Sequence, residues 1–426
     1  MGLAILLGVF GVSIVIGIPV AFAMGLAAAA TFAFEGFPAL LTFQRIVSGV
    51  SVFSLLAIPF FIFAGELMLH GGLALRLVRL ASALVGRVRG GLATVNIFSS
   101  MLFGGISGSA IADISALGSL IIPAMKEKGY RGDYAVNVTV TSSIAGVVIP
   151  PSHNMIIFAV AAGGGISISE LFLAGVIPGI LMCVLLAIAA YILAIKAGYP
   201  AEPFPGFAFV LTAAAAALPG LFTAVIIVGG VLSGVFTVTE SGAFGAIYAF
   251  VLTALVYRSL SWKAFVECLL SAVRTTSVVM ILIGCASAFA YLLAFYQVPK
   301  LMTDTLLGIS DNPIMILIML NVILLALGMI MDMAALILIC TPIFLPIAAS
   351  IGMDPVQFGI MMLVNLGLGL CTPPVGTCLF VGCAVGKVPI EKALRTIWPF
   401  YLAMLVALIL VTFIPSVSMF LPSLLE

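Results

Sequence analysis

A chain of 426 residues that is 64% hydrophobic and 7% charged, with a mean hydropathy of +1.39, has too little polar surface to fold as a water-soluble domain. It reads as an all-α polytopic membrane protein. The net charge of +1, with no basic stripe interleaved with aromatics, excludes nucleic-acid binding.

Roughly 20 apolar residues cross a hydrocarbon core, and the charges cut the chain into blocks of that size. The first crossing is expected near 4–33; no cationic region precedes it and no cleavage-type ending follows it, so it reads as a retained span and not a signal peptide. A second crossing follows near 48–69. Leu73 to Val88, with its arginines and leucines, suits a helix lying in the interface. Residues 90–125 hold a single charge, Asp113, and are too few for two crossings and a turn, which predicts a re-entrant hairpin. Crossings are then expected near 134–162, 170–195, 208–232, 237–257 and 275–298. Lys300 to Leu307 is a weaker interfacial segment, 312–353 with its lone Asp332 is a second hairpin, and crossings near 356–385 and 397–421 complete the chain. The seven cysteines lie mostly in apolar segments and never at a two-residue spacing, so they read as small apolar fillers.

Two of these crossings are interrupted by a double proline, Pro150-Pro151 and Pro373-Pro374. Adjacent prolines break the helical ladder, and in lipid the freed carbonyls are tolerated only where they are buried in protein or line a polar cavity. The two interruptions are copies. At a constant offset of 223 residues, Pro123 matches Pro346, Gly129 matches Gly352, Gly146 matches Gly369, Pro150-Pro151 match Pro373-Pro374, and Gly163 matches Gly386. If the first hairpin enters from the cytoplasm, 14 Lys and Arg, Arg274 among them, fall inside, and only Arg45 and Lys300 fall outside. Each repeat has four crossings and a hairpin, so the span near 208–232 is needed to invert the second. The expected organisation is a first repeat over 1–196, a linking span within 197–236 and a second repeat over 237–426, with the N-terminus cytoplasmic and the C-terminus periplasmic. Inverted repeats with broken helices meeting at the midplane are the architecture of secondary transporters.

The polar residues within these segments each admit two readings. Gly104-Gly105-Ile106-Ser107-Gly108-Ser109 is either a tight helix contact or a hairpin tip that offers hydroxyls and backbone groups to an ion. Asp113 and Asp332 are either cation ligands or caps of the second hairpin arms. His153 and Asn154 follow the first break directly, whereas His70 beside Gly71-Gly72 reads as structure. Glu66, with His70 or Arg76 as partner, and Glu240 read as anchors of a scaffold. Neither hairpin tip nor break contains Lys or Arg, so an anion there would be held by helix N-termini, hydroxyls, Asn154 and co-bound cations.

The runs Leu56-Ala57-Ile58-Pro59-Phe60-Phe61-Ile62-Phe63-Ala64-Gly65-Glu66-Leu67-Met68, Gly105-Ile106-Ser107-Gly108-Ser109-Ala110-Ile111-Ala112-Asp113 and Ile149-Pro150-Pro151-Ser152, with Phe172 to Gly179 and Cys371-Thr372-Pro373-Pro374-Val375-Gly376, resemble the large membrane subunit of the tripartite ATP-independent periplasmic (TRAP) transporters, the DctM-like family. The resemblance spans essentially the whole chain. It implies a non-enzymatic permease of a bacterial inner membrane, elevator-type, importing a small organic anion with sodium as the coupling ion and no other cofactor. The implied partners are a periplasmic substrate-binding protein, a small four-span membrane subunit and membrane lipid. The resemblance also implies two sodium regions. One lies between Ser107, Gly108, Ser109 and Asp113 and the break from Gly146 through Ile149 to Ser152. The other lies between Gly328 to Asp332 and Gly369, Thr372 and Gly376. Substrate contacts are expected from Ser107, Ser152, His153, Asn154 and Thr372. A gated channel would also tolerate broken helices, and an intramembrane serine protease would use Ser107 with His153 as base.

Overall fold

The computed structural model describes residues 1–201, 203–310 and 312–424. The chain folds as α1 (Gly2–Val15), α2 (Val20–Phe34), α3 (Ala39–Val50), α4 (Ala57–His70), α5 (Leu73–Val85), α6 (Gly91–Ser107), α7 (Ala110–Asp113), α8 (Ser119–Glu127), α9 (Gly132–Ser142), α10 (Ala145–Val148), α11 (His153–Ala161) and α12 (Ile168–Ala197). It continues as α13 (Phe207–Leu232), α14 (Val238–Val251), α15 (Trp262–Phe295), α16 (Val298–Ile309), α17 (Pro313–Gly328), α18 (Met333–Ser350), α19 (Pro355–Leu370), α20 (Thr377–Gly386), α21 (Ile390–Leu394) and α22 (Trp398–Phe413). Short polar residues start several of the helices by accepting from free N–H groups. Ser167 caps α12, Thr237 and Glu240 form a reciprocal capping box on α14, Ser261 caps α15, and Asn312, Asp332 and Asp354 cap α17, α18 and α19.

The repeats are inverted. Offset by 223 residues, α4 corresponds to the second half of α15, and the two run antiparallel: Gly49, at the end of α3, lies beside Ser287, Glu66 beside Ser271, and the Gly71 carbonyl beside Ser259. Ile144 rests on Gly367, its own counterpart at that offset, which places a pseudo-twofold axis there. Helices α2–α4 and α13–α15 pack together as one group, while α6–α12 and α17–α22 form another that contains both hairpins and both breaks.

The first expected crossing is corrected. In place of one crossing over 4–33 there are two helices, Gly2–Val15 and Val20–Phe34, of 14 and 15 residues, about 21 and 22.5 Å at 1.5 Å per residue and shorter than the hydrocarbon core. They fold back at Gly17-Ile18-Pro19, where Gly17 takes φ +90° and Pro19 cannot continue the hydrogen-bond ladder. A Cβ on Gly2 would collide with the Glu35 carboxylate and the Tyr296 hydroxyl, so the two ends of this segment share a face. The N-terminus therefore lies on the same face as Glu35 and Tyr296. The expected chain end at Glu426 lies outside the described residues.

Candidate functional site

Each hairpin tip meets the break of its own repeat. At the first, α6 ends on Gly108 with φ +61°, and Ser109 caps α7 through the Ala112 N–H. Gly108 sits against the Pro151 carbonyl and the His153 ring, while Gly105 faces the Pro150 carbonyl and Ile149. Gly104 and Gly146 touch backbone to backbone, so a Cβ on either would strike the other's main chain. At the second tip, Gly328 and Gly369 repeat that contact, one residue off the 223 offset on the hairpin side. The Val375 N–H donates to the Met329 carbonyl at 3.0 Å, so break and tip are also hydrogen-bonded there. Both double prolines contain a cis bond, Pro150-Pro151 and Pro373-Pro374.

Two adjoining cavities of about 450 and 490 Å³ lie between the two helix groups. Ser109, His153 and Thr275 line both; Ser107 and Glu66 line the second, and Asn154, Asp332 and Thr377 the first. His153 opens α11, Met333 opens α18 and Thr377 opens α20, so three helix N-termini converge on the first cavity with their positive dipole ends. The Thr377 hydroxyl there, and the Ser152 hydroxyl in the adjoining break, are buried without a hydrogen-bond partner.

The remaining sequence-predicted residues sit deeper or elsewhere. Asp113 is fully buried and lines neither cavity; the Ser100 hydroxyl is the polar side chain that approaches its carboxylate, and among the described residues neither oxygen has a hydrogen bond within 3.5 Å. A π-helical segment, Ile114–Gly118, follows it directly. Gly146, Gly328 and Gly369 form backbone contacts, and Ile149 packs against Gly179. Gly376 starts α20 from the left-handed region, φ +39°, against the Thr372 backbone. Thr372 donates to the Leu368 carbonyl at 2.7 Å and faces a separate, mostly apolar cavity of about 600 Å³ with Trp398 and Tyr401. Asp332 accepts from the Ala334 N–H at 3.0 Å while remaining exposed to the first cavity.

Among the anchors, Glu66 accepts from the Ser271 hydroxyl at 2.7 Å and lies 3.6 Å from His70. Arg76 donates instead to the Gly71 and Gly72 carbonyls and stacks on Tyr257. All seven cysteines are buried and free.

Sequence reasoning missed one residue at the site. Arg274 is expected on the cytoplasmic flank of a span beginning at 275; α15 begins earlier, at Trp262, and Arg274 lies on it in the wall of the first cavity, a role the flank reading did not foresee. The signal was Ser261, the cap that moves the helix start thirteen residues upstream.

The sequence profile of the "Tripartite ATP-independent periplasmic transporter, DctM component" matches residues 7–417. The chain is 39% identical to the sialic acid TRAP transporter large permease protein SiaM of Vibrio cholerae over 89% of each chain. It is 35% identical to the C4-dicarboxylate TRAP transporter large permease protein DctM of Rhodobacter capsulatus over the full length of both. With the 2,3-diketo-L-gulonate TRAP transporter large permease protein YiaN of Escherichia coli it shares 37% identity over 98% of each. Among solved structures, the YdaH transporter of Alcanivorax borkumensis superposes with a TM-score of 0.64 at 14% identity over 87% of each chain, a likeness of fold.

Proposed function

The chain belongs to the DctM family of TRAP transporter large membrane components, and we propose that it imports a small organic carboxylate by coupling to sodium. In this reading it takes the substrate from a periplasmic binding protein and works beside a small four-span membrane subunit. The observation that carries the substrate class is the convergence of the α11, α18 and α20 N-termini on one cavity. Aligned N–H groups favour an anion without any titrating side chain. His153 and Asn154 stand at that rim and are assigned to substrate preference, Ser107 lines the adjoining cavity, and Ser152, buried in the break directly before His153, is assigned a hydroxyl contact from behind it.

Sodium coupling is supported by the duplicated tip–break contact. A hard cation needs several oxygens, and hairpin tips and unwound breaks supply carbonyls and hydroxyls without a charged cage. The first site is assigned to the region of Ser107–Ser109 and Gly146–Ser152, the second to Gly328–Asp332 and Gly369–Gly376. Because the hairpins and breaks belong to one helix group and α3, α4, α14 and α15 to another, alternating access is assigned to sliding of the first group past the second. The test is reconstitution with both partners in proteoliposomes under an inward sodium gradient. Labelled carboxylate should accumulate above its external concentration, and omission of either partner should abolish uptake. Equilibration without accumulation would mean a channel and overturn the reading.

A further inference from the structure

We propose that Arg274 is the fixed counter-charge for the substrate carboxylate, supplied from the opposite helix group and engaged only while the cavity lies against α15. This rests on the carboxylate reading above. Arg274 is the thirteenth residue of a 34-residue helix, about 18 Å along the axis from Trp262 at 1.5 Å per residue. The 21 residues that follow Arg274 in α15, about 31 Å, are already long enough to cross the hydrocarbon core, so Arg274 stands at the mouth of that span, on the wall of the cavity.

Among the described residues Arg274 has no hydrogen bond and no ion pair, and its side chain is exposed. It borders the same cavity as His153, Asn154 and Thr377, where the three helix N-termini point. The acid that shares the cavity, Asp332, already accepts from the Ala334 N–H and lies beyond ion-pair distance of the guanidinium. The cavity thus has positive dipole ends on the hairpin-and-break side and an uncommitted guanidinium on the α15 side. A planar five-donor fork matches a carboxylate in a bidentate pair, which a hydroxyl or an amide does not reproduce.

The two walls have different owners. His153, Asn154 and Thr377 travel with the hairpins and breaks, whereas Arg274 is carried by α15. A carboxylate held between them loses Arg274 when the groups separate. Arg274 therefore sets affinity on one side of the membrane and leaves the other side unaffected. It also selects acids over their neutral analogues at that side.

The test measures direct binding to the complex with its small subunit in proteoliposomes of known orientation, with succinate, N-acetylneuraminate and 2,3-diketo-L-gulonate as probes, each paired with the uncharged analogue in which every carboxylate is replaced by a carboxamide. Wild type should bind at least one acid and prefer it to the amide. Arg274→Gln should raise the half-saturating concentration tenfold or more at the cavity-facing side only, abolish the acid-over-amide preference, and leave half-saturating sodium unchanged. Arg274→Lys, which keeps the charge and helix, should recover part of the loss. Equal affinity and equal preference in wild type and Arg274→Gln would overturn this inference while leaving the carboxylate reading intact. If wild type binds none of the three acids, the carboxylate reading falls and takes this inference with it. Should Asp332→Asn reproduce the loss of acid affinity with half-saturating sodium unchanged, Arg274 would be serving an internal ion pair and not the substrate.

Discussion

Substituting Gly146 by alanine should damage one cation site and spare the other. A methyl group at Gly146 would run into the Gly104 main chain, and one at Gly369 would run into Gly328. Backbone cannot swing aside as the end of a flexible side chain can, so the hairpin tip must withdraw from its break. Overpacking of this kind costs about 1–3 kcal/mol. If that cost falls on the sodium-bound arrangement, sodium affinity at the first site drops roughly 5–150-fold, the ratio corresponding to such an energy. Gly369→Ala should do the same at the second site. Gly8→Ala, in α1 with open space around it, is the control and should leave sodium dependence unchanged. The assay is carboxylate uptake against sodium concentration in proteoliposomes, with folding checked by size-exclusion elution. A Gly146→Ala variant that folds and keeps the wild-type sodium curve would refute the reasoning.

Two further predictions test the fold and the buried acid. A cysteine-labelling reporter at Lys128 should read cytoplasmic and reporters at Ser310 and at the N-terminus should read periplasmic; Lys128 and Ser310 on one face would sink the inverted arrangement. Asp113 is wholly buried with neither carboxylate oxygen hydrogen-bonded among the described residues, and an unpaired buried charge is costly, so Asp113→Asn should lower sodium affinity tenfold or more while expression survives. An unchanged sodium curve in that variant would show that the carboxyl is carried as a neutral acid and binds no cation.

What could be read from the sequence was whatever is local. The double prolines, the lone acids in the hairpins and the 223-residue offset are properties of the chain itself, and each marks a feature that the fold places around the cavities or the tip–break contacts. The first 34 residues were misjudged because hydropathy measures length and not direction. Gly17-Ile18-Pro19 was the turn, inside an apolar run that a window average passes over. The place of Arg274 in the cavity was missed for a related reason: a span drawn from its last charge cannot notice that the helix starts earlier, at a serine cap. The glycine pairs across tip and break, and the meeting of three N-termini, were beyond reach. They join residues far apart in sequence, and nothing in one chain states which residues are neighbours.

Under the proposed function, two equivalent tip–break sites each couple a sodium ion to carboxylate import. The most direct measurement is the sodium dependence of uptake by the reconstituted three-component system, in wild type and with one site altered at a time by Ser152→Ala or Thr372→Ala. The sodium Hill coefficient should exceed one in wild type, and each variant should show a rightward shift that leaves the other site's response intact. Uptake that follows a proton gradient without sodium would contradict this reading, as would wild-type sodium curves in both variants.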